Sequence, residues 1–214
     1  MRIMRHQLSL SDKIIANVSR GLRTCFASTQ AARPRPARGQ HAELSAADAA
    51  ESIKLMRVNH AGEVSAQALY YGQALVARSD ETQKHLENAA REEHDHLVWC
   101  AERLTELGGR TSHLTPLWYA GSFAIGAIAG LSGDQHSLGF VQETEKQVEA
   151  HLEDHLRRLS SADSPSRKIL EQMAEDEARH GQNAAAAGAI AVSTTRQRLM
   201  ALGGSILRQV ARIL

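Results

Sequence analysis

The sequence predicts an all-α protein, a four-helix bundle assembled from two helical hairpins, and three observations carry that prediction. Helical periodicity runs from Ala46 to Gly188 with few β-branched runs and almost no proline. Turn signals interrupt it at Ser79, at Gly108-Gly109 and at Ser160-Ser161-Ala162-Asp163-Ser164-Pro165. About 28 residues separate the two halves, too many for a tight loop and enough for a crossover that lets the hairpins pack together.

The first helix is predicted over 47–78. The second starts at Ser79 or Asp80, where Asp80 and Glu81 suit the positive end of a helix, and stops at Gly108-Gly109. The third is predicted over 137–159, and the fourth begins at Pro165, whose missing N–H costs nothing at a helix start. The chain divides into a basic, largely disordered extension (1–45) and a bundle domain (46–214). Within the domain lie an apolar crossover (112–135) and a basic amphipathic C-terminal helix (196–214).

Composition narrows the function by exclusion. A chain of 214 residues, 43% hydrophobic and 23% charged, has room for one domain with a substantial core. The net charge of +1 gives no general attraction for nucleic acid. Cys25 and Cys100 have no paired spacing, so a disulfide framework and a thiolate zinc site are both disfavoured and a reducing compartment is expected. Glycine-rich nucleotide motifs are absent, which leaves metal, a diffusible reductant or a partner to supply any cofactor chemistry.

The chemistry is carried by a repeat. Glu63 precedes the Glu93-His94-Asp95-His96 motif by 30 residues, and Glu145 precedes Glu177-Ala178-Arg179-His180 by 32. Residues three apart share one helix face, so each Glu and His pair can bind a common ion. Counted from their turns at 1.5 Å per residue, the four carboxylates all lie roughly 21 to 26 Å deep. They also occupy the apolar seam, which reads Leu86, Ala89, Glu93, His96, Cys100 on the second helix and Leu170, Met173, Glu177, His180, Ala184 on the fourth. On the third it reads Leu138, Val141, Glu145, Val148, Leu152. Several carboxylates in a core repel and lose solvation, at several kcal/mol per ion, unless cations neutralise them. Four carboxylates and two imidazoles suit a pair of iron or manganese ions, the arrangement of ferritin-like di-iron proteins. Glu145 has no Glu-x-x-His of its own, and Glu143 or Glu149 would replace it if the third helix were rotated. The acids Glu92, Asp95, Glu143, Glu149, Glu175 and Asp176 are expected mainly as surface charges, with a minority serving instead as partners that orient the histidines.

The stretch Leu55-Met56-Arg57-Val58-Asn59-His60-Ala61-Gly62-Glu63, with Pro116-Leu117-Trp118-Tyr119 and both Glu-x-x-His motifs, resembles the demethoxyubiquinone hydroxylase family of ubiquinone biosynthesis. The likeness spans roughly Glu51 to Leu214 and leaves out the N-terminal extension. It implies a ferritin-like, membrane-associated monooxygenase that hydroxylates the ring of a polyprenyl-methoxy-methyl-benzoquinol, using O2 and reducing equivalents from NADH. It also implies that Glu63 and His96 bind one iron, Glu145 and His180 the other, with Glu93 and Glu177 bridging and acting in catalysis. His151 matches a histidine near that family's site and is a candidate proton or electron relay, or else a surface residue. Other ubiquinone-biosynthesis proteins and a second copy of the chain are further candidate partners. The competing readings are a ferritin-like iron oxidase or storage protein, and a di-iron hydroxylase of another lipid or of modified RNA.

Two segments fit an apolar, membrane-borne substrate. No charged residue lies between Leu114 and Gly133, but Pro116 and four glycines weaken a transmembrane assignment. A helix lying in the membrane interface is the favoured reading, and a crossover helix packed on the bundle is the alternative. Residues 196–214 hold four arginines and no acid, with Leu199, Leu202, Ile206, Val210 and Ile213 on one face, the pattern of a helix that meets a membrane surface or a partner. Residues 1–40 hold eight Lys or Arg against Asp12 alone, with an amphipathic helix possible from Ser11 to Phe26. Such a segment resembles an organellar presequence or the basic extension of a bacterial protein. The bacterial reading is preferred, and with it a peripheral place on the cytoplasmic face of the inner membrane rather than on the matrix side of the mitochondrial one.

Overall fold

A computed structural model of the chain describes residues 9–27, 29–40 and 43–214. The described residues form seven helices and no strand: α1 (Leu10–Phe26), α2 (Ala46–Val76), α3 (Asp80–Glu106), α4 (Thr115–Leu131), α5 (Asp134–Arg158), α6 (Ser164–Ala186) and α7 (Thr194–Ala211). The fold is the expected all-α bundle. Ser45, Ser79 and Asp163 cap α2, α3 and α6 by accepting from the backbone N–H groups of Asp48, Thr82 and Ser166. Beyond α3, Gly108 turns at φ 72°, a left-handed conformation that glycine adopts without strain.

α2 pairs with α3 and α5 with α6, giving two hairpins whose inner faces meet. The core lies in two apolar layers. One contains Leu55, Met56, Trp99, Leu104, Leu170 and Met173, and the other Tyr70, Leu86, Ala90, Val141 and Ala184. Glu63, Glu93 and Glu177 fall between these sets along their helices, so the polar level is bounded by apolar packing on both sides. Each fully buried large aliphatic side chain contributes roughly 1.5 to 3 kcal/mol, so the two apolar layers hold the bundle together on either side of the polar level.

α5 begins at Asp134, three residues before the expected start at 137, because Gly133 makes the turn at φ 104°. The Asp134 carboxylate then accepts from the backbone N–H groups of Arg78 and Ser79, both at 2.9 Å. The start of the second hairpin is thereby tied to the turn of the first.

α4 is a packed crossover with one face left open. It buries Tyr119, Gly126 and Gly130 against α2, while Leu117, Ile125, Ile128 and Leu131 are more than half exposed. The packing depends on glycine at both sides of the crossing. A Cβ at Gly126 would come 2.1 Å from the Leu69 carbonyl oxygen, and one at Gly72 would come 2.2 Å from that of Phe123. No helix among the described residues is long and apolar enough to cross a membrane.

The N-terminal extension departs from the expected disordered tail. Residues 1–8 lie outside the described residues, but α1 packs on α2 and α4, with Gly21 against the Tyr119 ring and Thr24 hydrogen-bonded to Gln67. Residues 29–40 continue as an arm docked on the bundle. The physical reason is that its arginines meet acids on the bundle: Arg35, 3% exposed at its side chain, pairs with Glu102 and Glu106, and Arg33 with Asp95 and Asp176. Local periodicity carries no trace of such pairing.

Gly126→Ala forces α4 away from α2, so a thermal melt followed by circular dichroism should show Tm lowered by about 5 °C, the effect of overpacking by 1–3 kcal/mol. An unchanged melt would contradict the close crossing.

Candidate metal centre

Four helices each place polar side chains at the same level. Glu63 comes from α2, Glu93 and His96 from α3, Glu145 from α5, and Glu177 and His180 from α6; all are at most 4% exposed. They form two overlapping groups, Glu63, Glu93, His96 and Glu177 in one and Glu93, Glu145, Glu177 and His180 in the other, with candidate ligand atoms within 4.8 Å of one another. Glu93 and Glu177 belong to both. His96 Nδ1 lies 3.2 Å from Glu93, 3.3 Å from Glu177 and 3.6 Å from Glu63. His180 Nδ1 lies 3.1 Å from Glu93, 3.5 Å from Glu177 and 3.6 Å from Glu145.

Each imidazole is held from behind. His96 Nε2 is 2.9 Å from Asp176 and His180 Nε2 is 3.0 Å from Glu92, while Arg179 ties those two acids together at 2.6 and 2.8 Å. A proton kept on Nε2 by a carboxylate leaves Nδ1 free to donate its lone pair inward. On the far side, the Tyr70 hydroxyl donates to Glu145.

The inner atoms are the ones left over. Glu63 Oε2, Glu93 Oε1, Glu145 Oε2, both carboxylate oxygens of Glu177 and His180 Nδ1 are buried without a hydrogen-bond partner. Buried polar groups are normally satisfied, so this concentration of unsatisfied acceptors fits bound cations. Without a cation, burial pushes the Glu63 and Glu145 carboxyls well above the ordinary range. Burial also disfavours the charged forms of His96 and His180, yet the carboxylates gathered around them outweigh it and push both imidazoles upward. Glu93 and Glu177 are held low by those imidazoles in spite of their burial.

Residues 50–209 match the family described as Ubiquinone biosynthesis protein COQ7. The chain belongs to this family. Among its relatives is a 3-demethoxyubiquinol 3-hydroxylase from Nitrosococcus oceani, 52% identical over 207 residues, covering 96% of this chain and 97% of the relative. Proteins of the same name from Xanthomonas campestris pv. campestris and Coxiella burnetii are 51% and 48% identical, covering 94% and 97% of this chain and 93% and 96% of their own lengths. Alignments of that length reach into the N-terminal extension, which the motif resemblance had left out. The docked arm therefore falls within the stretch aligned with these relatives, although it precedes the 50–209 family match.

All six expected ligand positions come together. α5 is not rotated, since Glu145 faces the cluster while Glu143 accepts from Gln147 and from Gln197 of α7. His151 stands apart from the six. Its Nε2 is 3.2 Å from the Asn59 side-chain carbonyl, which also accepts from His155 Nδ1 at 2.7 Å, and the two rings meet edge to face. Two acids expected at the surface are buried instead: Asp176 is 0% and Asp95 3% exposed. Half-exposed Glu92 and buried Asp176 are the members of that group that back the histidines, and Tyr70 is a further contact that the sequence reading did not assign. The nearest signal was the position of Asp176 beside Glu177 and of Glu92 beside Glu93; Tyr70 carried none beyond an apolar helical position.

Burial holds His60 at about 4 and His151 and His155 at about 3, below the ordinary histidine value near 6.5. The unfolded chain takes up these protons first, so stability is complete above pH 6.5 and falls as pH drops toward 4. His60 alone accounts for on the order of 3 kcal/mol across that window. Urea unfolding of the metal-free protein should show the midpoint falling steadily from pH 7 to pH 4. His155→Gln should flatten that slope, and an unflattened slope would remove His155 from the account.

Proposed function

We propose that this chain is a di-iron hydroxylase that places one oxygen atom of O2 on the ring of a demethoxyubiquinol, a polyprenyl-methoxy-methyl-benzoquinol, with reducing equivalents from NADH and the second oxygen atom leaving as water. The single observation that carries the reading is the layer of four carboxylates and two imidazoles with unsatisfied inner atoms. The relatives named 3-demethoxyubiquinol 3-hydroxylase supply the substrate class.

Glu63 and His96 would hold one iron and Glu145 and His180 the other, with Glu93 and Glu177 reaching both. Four carboxylates offset the charge of two divalent ions, which is why no counterion from the protein is needed inside the layer. The bound irons supply the redox and Lewis-acid chemistry that activates oxygen. The chain's own residues hold and orient: Asp176 and Glu92 keep the protons on the outer histidine nitrogens, Tyr70 fixes one oxygen of Glu145, and the two apolar layers keep water out. A cleft of about 650 Å³ bounded by α2, α5 and α7, and lined by Leu55, Val58, Gln147, His151, His155 and Arg208, offers room for the quinol head. His151 at its wall is the candidate relay between the solvent side and the reacting ring.

Membrane association belongs to the same reading. Leu117, Ile125, Ile128 and Leu131 of α4 and Leu199, Leu202 and Ile206 of α7 are exposed apolar residues, and α7 carries Arg196, Arg198 and Arg208 beside its row. Such faces suit a peripheral place on an anionic bilayer, from which a polyprenyl quinol enters. The cytoplasmic face of a bacterial inner membrane is the location we favour.

The wild-type chain should bind about two irons and convert a short-chain demethoxyubiquinol only with O2 and reductant present. Glu177→Ala should retain about one iron or fewer, by metal analysis, and lose hydroxylation to background. Full turnover in that variant would reject the role of Glu177 in joining the two ions.

A further inference from the structure

Behind His96, the groove between α3 and α6 is closed by a segment from outside the bundle. Asp95 of α3 receives three hydrogen bonds, all from the arm: Ala32 N–H at 2.6 Å, Arg33 N–H at 3.3 Å and Arg33 Nε at 2.9 Å. The same guanidinium reaches α6, with Nη1 2.8 Å from Asp176 Oδ2, the oxygen that is also 2.9 Å from His96 Nε2. Nη2 lies 3.3 Å from His96 Nε2 itself. The arm is fixed from a third side by Trp99, whose indole N–H donates to the Arg33 carbonyl at 3.3 Å and whose ring lies 4.9 Å from the guanidinium carbon. Trp99 in turn packs on the His96 ring at 5.4 Å.

We propose that residues 29–40 are a structural part of the metal centre, with Arg33 as a positioning residue that holds Asp176 against His96 and thereby retains the iron on the His96 side. The inference rests on the di-iron reading and adds to it an asymmetry between the two ions. Arg179 of the bundle pairs with both backing acids, Glu92 behind His180 and Asp176 behind His96, but Asp176 alone takes a second arginine, Arg33, from a segment far upstream in the chain. A bidentate guanidinium linking two carboxylates on different helices fixes their separation in a way a point charge does not. When the arm leaves, Asp95 loses every hydrogen bond it makes here and Asp176 loses one of the donors that aim it. The coupling is reciprocal: if the docked arm retains iron, then iron retains the docked arm.

Both directions are measurable on the full chain. Loaded anaerobically with iron(II) and challenged with excess ferrous chelator, Arg33→Met should release one of its two irons about 10- to 100-fold faster than wild type, the other at the wild-type rate, with Arg33→Lys between. Equal acceleration of both irons would make the arm a general stabiliser and overturn the inference, as would two wild-type rates. In the unaltered protein, iron loading should slow tryptic cleavage after Arg38, the arm's arginine that is not followed by proline, by about tenfold while leaving cleavage after Arg196 and Arg198 unchanged. Arm cleavage indifferent to iron also overturns it, even if Arg33→Met fails to fold. A wild-type chain that takes up no iron would remove the metal reading itself, and this inference with it.

Discussion

Mutual repulsion among Glu63, Glu93, Glu145 and Glu177 is the constraint around which the surrounding structure is arranged. With little water between them to screen it, such a layer is tolerable only with positive charge inside it and rigid walls around it. The walls are the apolar sets on either side, from Leu55 and Met173 at one end to Tyr70 and Val141 at the other. The positive charge in the metal-free chain is the pair of imidazoles. Four helices from two hairpins contribute to the layer, so neither hairpin holds a complete site.

Outside the layer a second ring of charge decides which way each imidazole faces. Asp176, Glu92 and Arg179 form one connected set across α3 and α6, and Asp95 with Arg33 extends it into the arm. At another level, Asn59 joins α2 to α5 through His151 and His155. These cross-helix polar contacts occur where α2 and α5, and α3 and α6, face each other without a connecting turn. They take the part that short loops take within each hairpin.

The features legible in the sequence are those with a local period. Glu63 to Glu93 and Glu145 to Glu177 repeat with matched depth, and the seam residues Leu86, Ala89, Cys100, Leu170 and Met173 betray a polar pair placed where apolar side chains belong. Three of the helix boundaries follow from Ser79, from Gly108 and from Asp163 with Pro165. Invisible were the partners joined across distant parts of the chain: Asp176 reads as one more acid on an acidic helix until Arg33, 143 residues away, is seen against it. The same holds for the extension. Its basic, proline-containing composition is that of a solvated tail, and only the acids waiting on α3 and α6 turn part of it into a packed segment. The expected start of α5 at 137 is late because Asp134 falls within the 112–135 crossover by composition, whereas its carboxylate anchors the Ser79 turn.

The close crossing of α2 and α4 has a geometric result of its own. With the Leu69 carbonyl pressed where a Cβ of Gly126 would stand, the two backbones have no side-chain cushion between them and shift only as one body. Glu63 sits six residues before Leu69 on the same helix, about 9 Å along its axis. The open row of Leu117, Ile125, Ile128 and Leu131 therefore stands at a set height from the carboxylate layer. The depth of that layer beneath the exposed apolar row is a built-in dimension, as in a depth gauge, and not something a flexible loop can adjust.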